Sequence, residues 1–493
     1  MLKNKRVFKT VVAMALAVGV VLPSMNAAAC TTVLVGKKAS ADGSTIIARN
    51  EDLSPANPKH FVVHPAKKNP KGTVYVSTNT DLEEKDRFRM ELPEEQLKYT
   101  ATPEWSDEWG MFEEAGTNEK GVAMTATEST DYNEKIEKAD PLVVNGIAED
   151  SMLTVVLPYI TTAREGIQRL GEIVEKYGAA ECNGVGFSDQ NEVWWMDIVS
   201  GHHWVAKRIP DNCYAVVANQ MAIRNVDFTK TDDFMWSTGI QEFVKKNKLN
   251  TSKKNFNVRN IFGTNTEGDA KGNICRVWDG QRILTPSQKN KYSITSKKIP
   301  MTLKPDKLIT VEMVQKVLKS HFDGTKYDKR GKNVGDYRAI SVRTTMESHI
   351  IQWRPNMPIE ISGVQWVDFG APEFGVYVPF YNGIETTPES YQNGGENVSR
   401  DSAYWAHRLV AALTIPYYAE FMPKYTEPAL KEIQTQMSAN LKASDEKAMS
   451  LKDKPEELKK YLTEEGMKNA EYSLNKVNEL NDLLTTLSIK TAK

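Results

Sequence analysis

Residues 30–52, CTTVLVGKKASADGSTIIARNED, read as an antiparallel hairpin that begins on a cysteine. Cys30 to Gly36 is β-branched and apolar, which favours a strand. Lys37 to Ser44 is a turn centred on Asp42-Gly43, and Thr45 to Ala48 forms a second strand leading into Arg49-Asn50-Glu51-Asp52. Folded about the middle of that turn, the hairpin sets Cys30 opposite Asn50 and Glu51, where cross-strand neighbours lie about 5 Å apart. Arg49 and Asp52 then fall within side-chain reach of Cys30.

What precedes the hairpin reads as a secretory signal, residues 1–29. Lys3, Lys5, Arg6 and Lys9 make a positive start, and Val11 to Leu22 is an apolar run too short to span a bilayer comfortably. Ala27-Ala28-Ala29 is a small-residue cleavage site. A cut after Ala29 leaves Cys30 with a thiol and a free α-amine on one carbon. That pairs a nucleophile with its own general base, the logic of N-terminal-nucleophile hydrolases. The competing reading is a lipoprotein signal, which would block the amine and make the chain a lipid-anchored, non-catalytic surface binding protein. Such signals carry a larger aliphatic residue three positions before the cysteine, where this chain has Ala27.

Composition removes other classes. Lys and Arg number 63 against 64 Asp and Glu, with both signs interspersed, so nothing points to nucleic acid or an anionic surface as partner. Beyond the signal no long apolar span occurs, so no membrane association is expected after cleavage. Four cysteines cannot build a disulfide framework. With Cys30 free, Cys182, Cys213 and Cys275 allow one bridge at most, and they read as buried small hydrophobes. The seven histidines are scattered, and no HExxH or CxxC occurs. Adjacent His202 and His203 on a strand would point to opposite faces. No phosphate-binding or dinucleotide fingerprint is present, and no metal or cofactor is called for.

Further along, Trp109 to Thr127 contains a strand pair around the turn Asn118-Glu119-Lys120-Gly121. Ser151 to Tyr177 reads as two helices, with Ile167, Leu170, Ile173 and Val174 at helical spacing. GVGFSD, EVWWMDIV, HHWVAKRI and YAVVAN follow as strands between residues 184 and 219. Trp194, Trp195 and Trp204 read as core, and Glu192 and Asp197 as solvent-facing partners on one hairpin. Val311 to His321 is an amphipathic helix, residues 338–379 return to strand-like runs, and the chain is helical from Ser402. This order predicts a layered α+β fold with antiparallel sheets between helices. A catalytic domain spans 30–400, and a C-terminal helical extension, 401–493, packs on its core.

The hairpin, with GTNEKGVAMTATES (116–129), SGHHWVAKRIPDNCYAVVANQ (200–220), RVWDGQRILTPS (276–287) and KSHFDGTKYD (319–328), resembles the C69 family of dipeptidases, relatives of bile salt hydrolases and penicillin V acylases. The resemblance implies a four-layer αββα sandwich with Cys30 as nucleophile. Arg49 and Asp52 match the family's R-N-x-D pair, Asn219 an asparagine that stabilises the oxyanion, and Arg276 an arginine behind the site. It also implies a dipeptide or short-peptide substrate, with homo-oligomers found in the family. Where the acylase branch carries a catalytic asparagine, this chain has Glu128, which suits the α-ammonium of a peptide and argues against an acylase of non-peptide amides. The Arg49 guanidinium is expected to lower the thiol pKa, and Asp52 to orient the α-ammonium.

Overall fold

The computed structural model describes residues 30–106, 110–252, 255–330 and 336–491, so the signal-like segment lies outside the described residues. Thr31–Val35 (β1) and Thr45–Asp52 (β2) pair antiparallel, with Thr31 opposite Asn50 and Thr32 opposite Arg49. The register is the one expected, and Gly43 takes the left-handed conformation (φ 81°) that the turn requires. β2 is longer than expected because Thr45 to Asp52 also pairs along its other edge with a later strand.

Eleven further strands complete two large antiparallel sheets: Ala115–Thr117 (β3), Ala123–Thr130 (β4), Cys182–Ser188 (β5), Val193–Ile198 (β6), Trp204–Arg208 (β7), Tyr214–Ala218 (β8), Phe234–Trp236 (β9), Thr302–Leu303 (β10), Thr345–Trp353 (β11), Gly363–Phe369 (β12) and Val378–Tyr381 (β13). One sheet runs β10-β8-β1-β2-β11-β12-β13, and the other β9-β7-β6-β5-β4-β3. The runs β5 to β8 were expected as four successive strands. The structure divides them, three in the second sheet and β8 beside β1, with Ala218 opposite Thr31.

The pleat explains why these strands are apolar almost throughout. Strands buried on both faces read as continuous apolar runs. Leu34, Ile47, Ala215 and Ile351 share one cluster with Ala123, Trp195 and Val205 of the other sheet. Their neighbours Val33, Ala48, Val216 and Ile350 point the other way, into a cluster with Val311–Leu318 (α3), Ala403–Thr414 (α4), Glu427–Ser450 (α5) and Pro455–Thr491 (α6). Trp194, Met196 and Phe187 face Glu149–Val156 (α1) and Ala163–Tyr177 (α2). Thr162 caps α2 by accepting from the Glu165 N–H. The result is a mixed α/β molecule with large antiparallel sheets and a C-terminal helical segment, whose helices share the seven-stranded sheet's core.

The cysteines are unbridged; Cys182 and Cys275 are buried and Cys213 half-buried. All three tryptophans named above are core. Asp197 is a correction. It is fully buried, accepting from the Ile223 N–H (2.8 Å) and from Trp195 Nε1 (2.8 Å), because its sheet is covered on both faces. Glu192 instead pairs with Arg164 and Arg208.

A close approach at Gly184 gives a stability test. A Cβ there would lie 2.2 Å from Cζ2 of the fully buried Trp195, which has no room to retreat. Gly184→Ala is expected to destabilise the fold by about 1–3 kcal/mol in chemical denaturation; an unchanged midpoint would contradict this packing.

Candidate active site

Alternation places Cys30, Thr32 and Leu34 on the inner face of β1, toward the second sheet. Cross-strand pairing places Arg49 on that face opposite Thr32. Cys30 is 5% exposed and Arg49 1%. Arg49 Nη2 donates to Cys30 Sγ at 3.0 Å and lies 2.6 Å from Glu114 Oε2, while Nη1 donates to the Ala126 carbonyl at 2.5 Å. A single guanidinium thus joins the thiol to the edge of the opposite sheet.

Asn219 follows β8, next to Cys30 across the ladder. Its Oδ1 accepts from Arg276 Nη2 at 2.9 Å. Its Nδ2 is buried and has no partner among the described residues, leaving an amide donor beside the thiol-bearing residue. Arg276 lies in the first turn of a helix, Cys275–Leu284, that continues a π-helical turn, Ala270–Ile274; such turns recur at functional sites. Its Nη1 donates to the Cys30 carbonyl and to Thr31 Oγ1 (2.9 Å). Arg276 therefore fixes the Cys30 backbone and orients Asn219 together.

Asp52 and Arg49 do not pair with each other. Asp52 Oδ1 accepts from Thr345 Oγ1 at 2.5 Å, and Oδ2 lies 3.4 Å from Arg338 Nη2. Burial pushes this carboxyl above its ordinary range, against the pull of Arg338 and Thr345. Glu128 lies past a bulge in β4 that interrupts pairing between Ala126 and Glu128. It is fully buried, and its Oε1 accepts from Thr32 Oγ1 at 2.6 Å. Its Oε2 has no partner among the described residues. Burial raises Glu128 to about 7, opposed by Arg49 and Arg276.

Arg49 pulls the thiol pKa down as expected, but it does not decide the outcome. Burial pushes Cys30 well above the ordinary thiol range, and the opposing pull of Arg49 does not overcome it; Glu128, Asp52 and Glu114 push the same way as burial. The guanidinium sits where it was expected, but three carboxylates and desolvation outweigh it.

A cleft of about 1300 Å³ opens beside these residues, lined by Asn219, Arg276, Arg338 and the chain from Ser129 to Asp131 immediately after Glu128. Among the described residues no group of three His, Cys, Asp or Glu side chains is placed to hold a metal ion.

The sequence model of peptidase family C69 matches residues 29–431, most of the chain. The chain belongs to peptidase family C69. It is 47% identical over 428 residues to a probable dipeptidase of Latilactobacillus sakei, covering 85% of this chain and 89% of that one. A probable dipeptidase A of Streptococcus pyogenes is 40% identical over 401 residues, covering 79% and 84%. A probable dipeptidase B of Lactococcus lactis is 38% identical over 468 residues, covering 92% and 94%. A peptidase activity on dipeptides is therefore the family's common character.

Six residues named from the C69 chain's sequence, Cys30, Arg49, Asp52, Glu128, Asn219 and Arg276, gather at one end of the inner strands. Sequence reasoning missed Glu114, Thr345 and Arg338, which hold Arg49 and Asp52. The only hint of Glu114 is an acidic pair, Glu113-Glu114, directly before a strand of small residues.

Glu128 gives a pH test. Between its ordinary 4.5 and about 7, the folded chain holds a proton that the unfolded chain has released. Stability contributed by this group therefore falls as pH rises through that window. In Glu128→Gln the titration is gone, so the variant should gain on wild type as pH rises from about 5 to about 8, read by urea melts. A stability difference that stays constant with pH would contradict the assignment.

Proposed function

We propose that this C69 chain is an exported cysteine dipeptidase, built as the four-layer αββα sandwich of N-terminal-nucleophile hydrolases. Residues 1–29 are removed on export to the cell exterior or wall, and mature Cys30 acts through its own α-amine. The observation that carries this reading is the 3.0 Å contact from Arg49 Nη2 to Cys30 Sγ, with the spare Asn219 amide beside it.

The chemistry follows from those groups. An α-amine titrates near pH 7.7–8.0, so it is substantially neutral in mild alkali and takes the thiol proton directly or through a water. Arg49 holds the thiolate as it forms. The sulfur attacks the peptide carbonyl, and Asn219 Nδ2 with a backbone N–H receives the charge on oxygen. Losing one such donor costs about 10²–10³ in kcat. The new ammonium, oriented by Asp52, protonates the leaving amine as the C–N bond breaks. Water, deprotonated by the same amine, then hydrolyses the thioester and returns the thiol. Arg276 keeps Asn219 and the Cys30 carbonyl in position. The free oxygen of Glu128, just ahead of the cleft-lining Ser129–Asp131, meets the α-ammonium of the substrate.

Membership of a family whose named relatives are dipeptidases disfavours a lipid-anchored, non-catalytic surface protein.

Cys30→Ala is expected to lower dipeptide hydrolysis at least ~10³-fold with the melting curve retained. One extra residue before mature Cys30 should silence the enzyme in the same assay, since it moves the amine off the thiol-bearing residue; full activity in either protein would contradict the mechanism. Glu128→Gln should raise KM for free dipeptides more than for N-blocked ones, and an equal effect on both would remove Glu128 from ammonium recognition.

A further inference from the structure

The contact between Arg49 and the thiol has a support outside the cleft. Glu114 directly precedes β3, is 3% exposed, and sets Oε2 2.6 Å from the same Nη2 that reaches Cys30 Sγ. The Glu114 carbonyl accepts from the Ala126 N–H at 2.8 Å, and the Ala126 carbonyl accepts from Arg49 Nη1. Glu114, Arg49 and Ala126 therefore close a ring that fixes the guanidinium in two directions at once.

The segment carrying Glu114 is itself tied down. Phe112 holds φ 44°, in the left-handed region that favours glycine. Its carbonyl accepts from the fully buried Lys59 Nζ at 2.8 Å, and that ammonium also pairs with Glu51 Oε1 at 2.9 Å. Glu51 shares the inner face of β2 with Arg49, so one buried cation clamps the strand bearing Arg49 to the segment bearing Glu114. A non-glycine residue kept in that backbone region is held by its surroundings.

We infer that Glu114 is a positioning residue of the hydrolase: it aims the Arg49 guanidinium at the thiol and, as its counter-ion, sets how readily that thiol ionises. The inference rests on Cys30 being the nucleophile. The charged groups facing Cys30 are Arg49 and Asp52 from β2, Glu128 from β4, Glu114 before β3, and Arg276 at the Cys30 carbonyl. Those facing Glu114 are Arg49 and Glu51 from β2, Lys59, and Glu149 at the start of α1. Paired with Arg49 at 2.6 Å, the Glu114 carboxylate offsets the pull of the guanidinium on the sulfur. The Glu114 carboxylate is engaged by Arg49, so its effect belongs in turnover rather than in substrate binding.

The test is iodoacetamide alkylation of the mature protein across a pH series, followed by the mass of the Cys30 peptide, with kcat and KM on a free dipeptide. Glu114→Gln keeps an acceptor for Arg49 and removes the charge. Its alkylation midpoint should fall by about one pH unit, with KM unchanged. Glu114→Asp keeps the charge but shortens the arm. It should lose kcat with KM unchanged, its midpoint not falling as in Glu114→Gln, and it carries the test alone if Glu114→Gln does not fold. Superimposed curves for wild type and Glu114→Gln, or an unchanged kcat in Glu114→Asp, would overturn the assignment while leaving the nucleophile in place. Wild-type Cys30 failing to alkylate ahead of Cys182, Cys213 and Cys275 would overturn the nucleophile reading, and this inference with it.

Discussion

The site turns on one buried guanidinium. Arg49 lies between two sheets whose facing residues are otherwise largely apolar, and its guanidinium contacts the thiol, the Glu114 carboxylate and the Ala126 carbonyl. A cation stripped of water is tolerated only where partners replace the water, and removing one partner of such a buried pair costs about 3–5 kcal/mol. The sheet-to-sheet separation, the hairpin register and the β4 bulge therefore answer to the same contact. Shifting the register by one residue would turn Arg49 outward, away from the thiol and Glu114.

Around that contact the protein concentrates carboxylates. Glu51, Glu114, Glu128 and Asp52 are all buried, and burial raises each of them, with Arg49, Lys59, Arg276 and Arg338 opposing. The consequence is a thiol that does not ionise freely in its buried setting, although a guanidinium touches it. In the proposed mechanism the α-amine of the same residue takes this proton. Arg276 carries the second half of the arrangement, joining the Cys30 carbonyl to Asn219 from a helix on a distant part of the chain.

Much of this was legible because it is local. β-branched runs around Asp42-Gly43 specify the hairpin and its register, and these place Arg49 against Cys30 without further information. The helices Ala163–Tyr177 and Val311–Leu318 follow from their apolar spacing. What was not legible depends on partners far along the chain. The Tyr214–Ala218 run looks like a fourth strand of a meander, yet it crosses to the other sheet to flank β1. Asp197 looks solvent-facing by alternation, but a second covered face removes the solvent. Lys59 carries no local pattern and Glu114 only its place in an acidic pair; their meaning comes from folding against Glu51 and Arg49. The Cys275–Leu284 helix reads in the sequence only as a motif, since its buried polar residues Arg276, Asp279 and Gln281 obscure the helical period.

In the proposed mechanism, mature Cys30 bears a free thiol and a free α-amine. The measurement that meets it most directly is the intact mass of the exported protein before and after brief alkylation. A chain beginning at Cys30, gaining one adduct rapidly at that residue, is the predicted result. A lipid-sized increment, or an N-terminus elsewhere, would contradict it and remove the proposed base from the site.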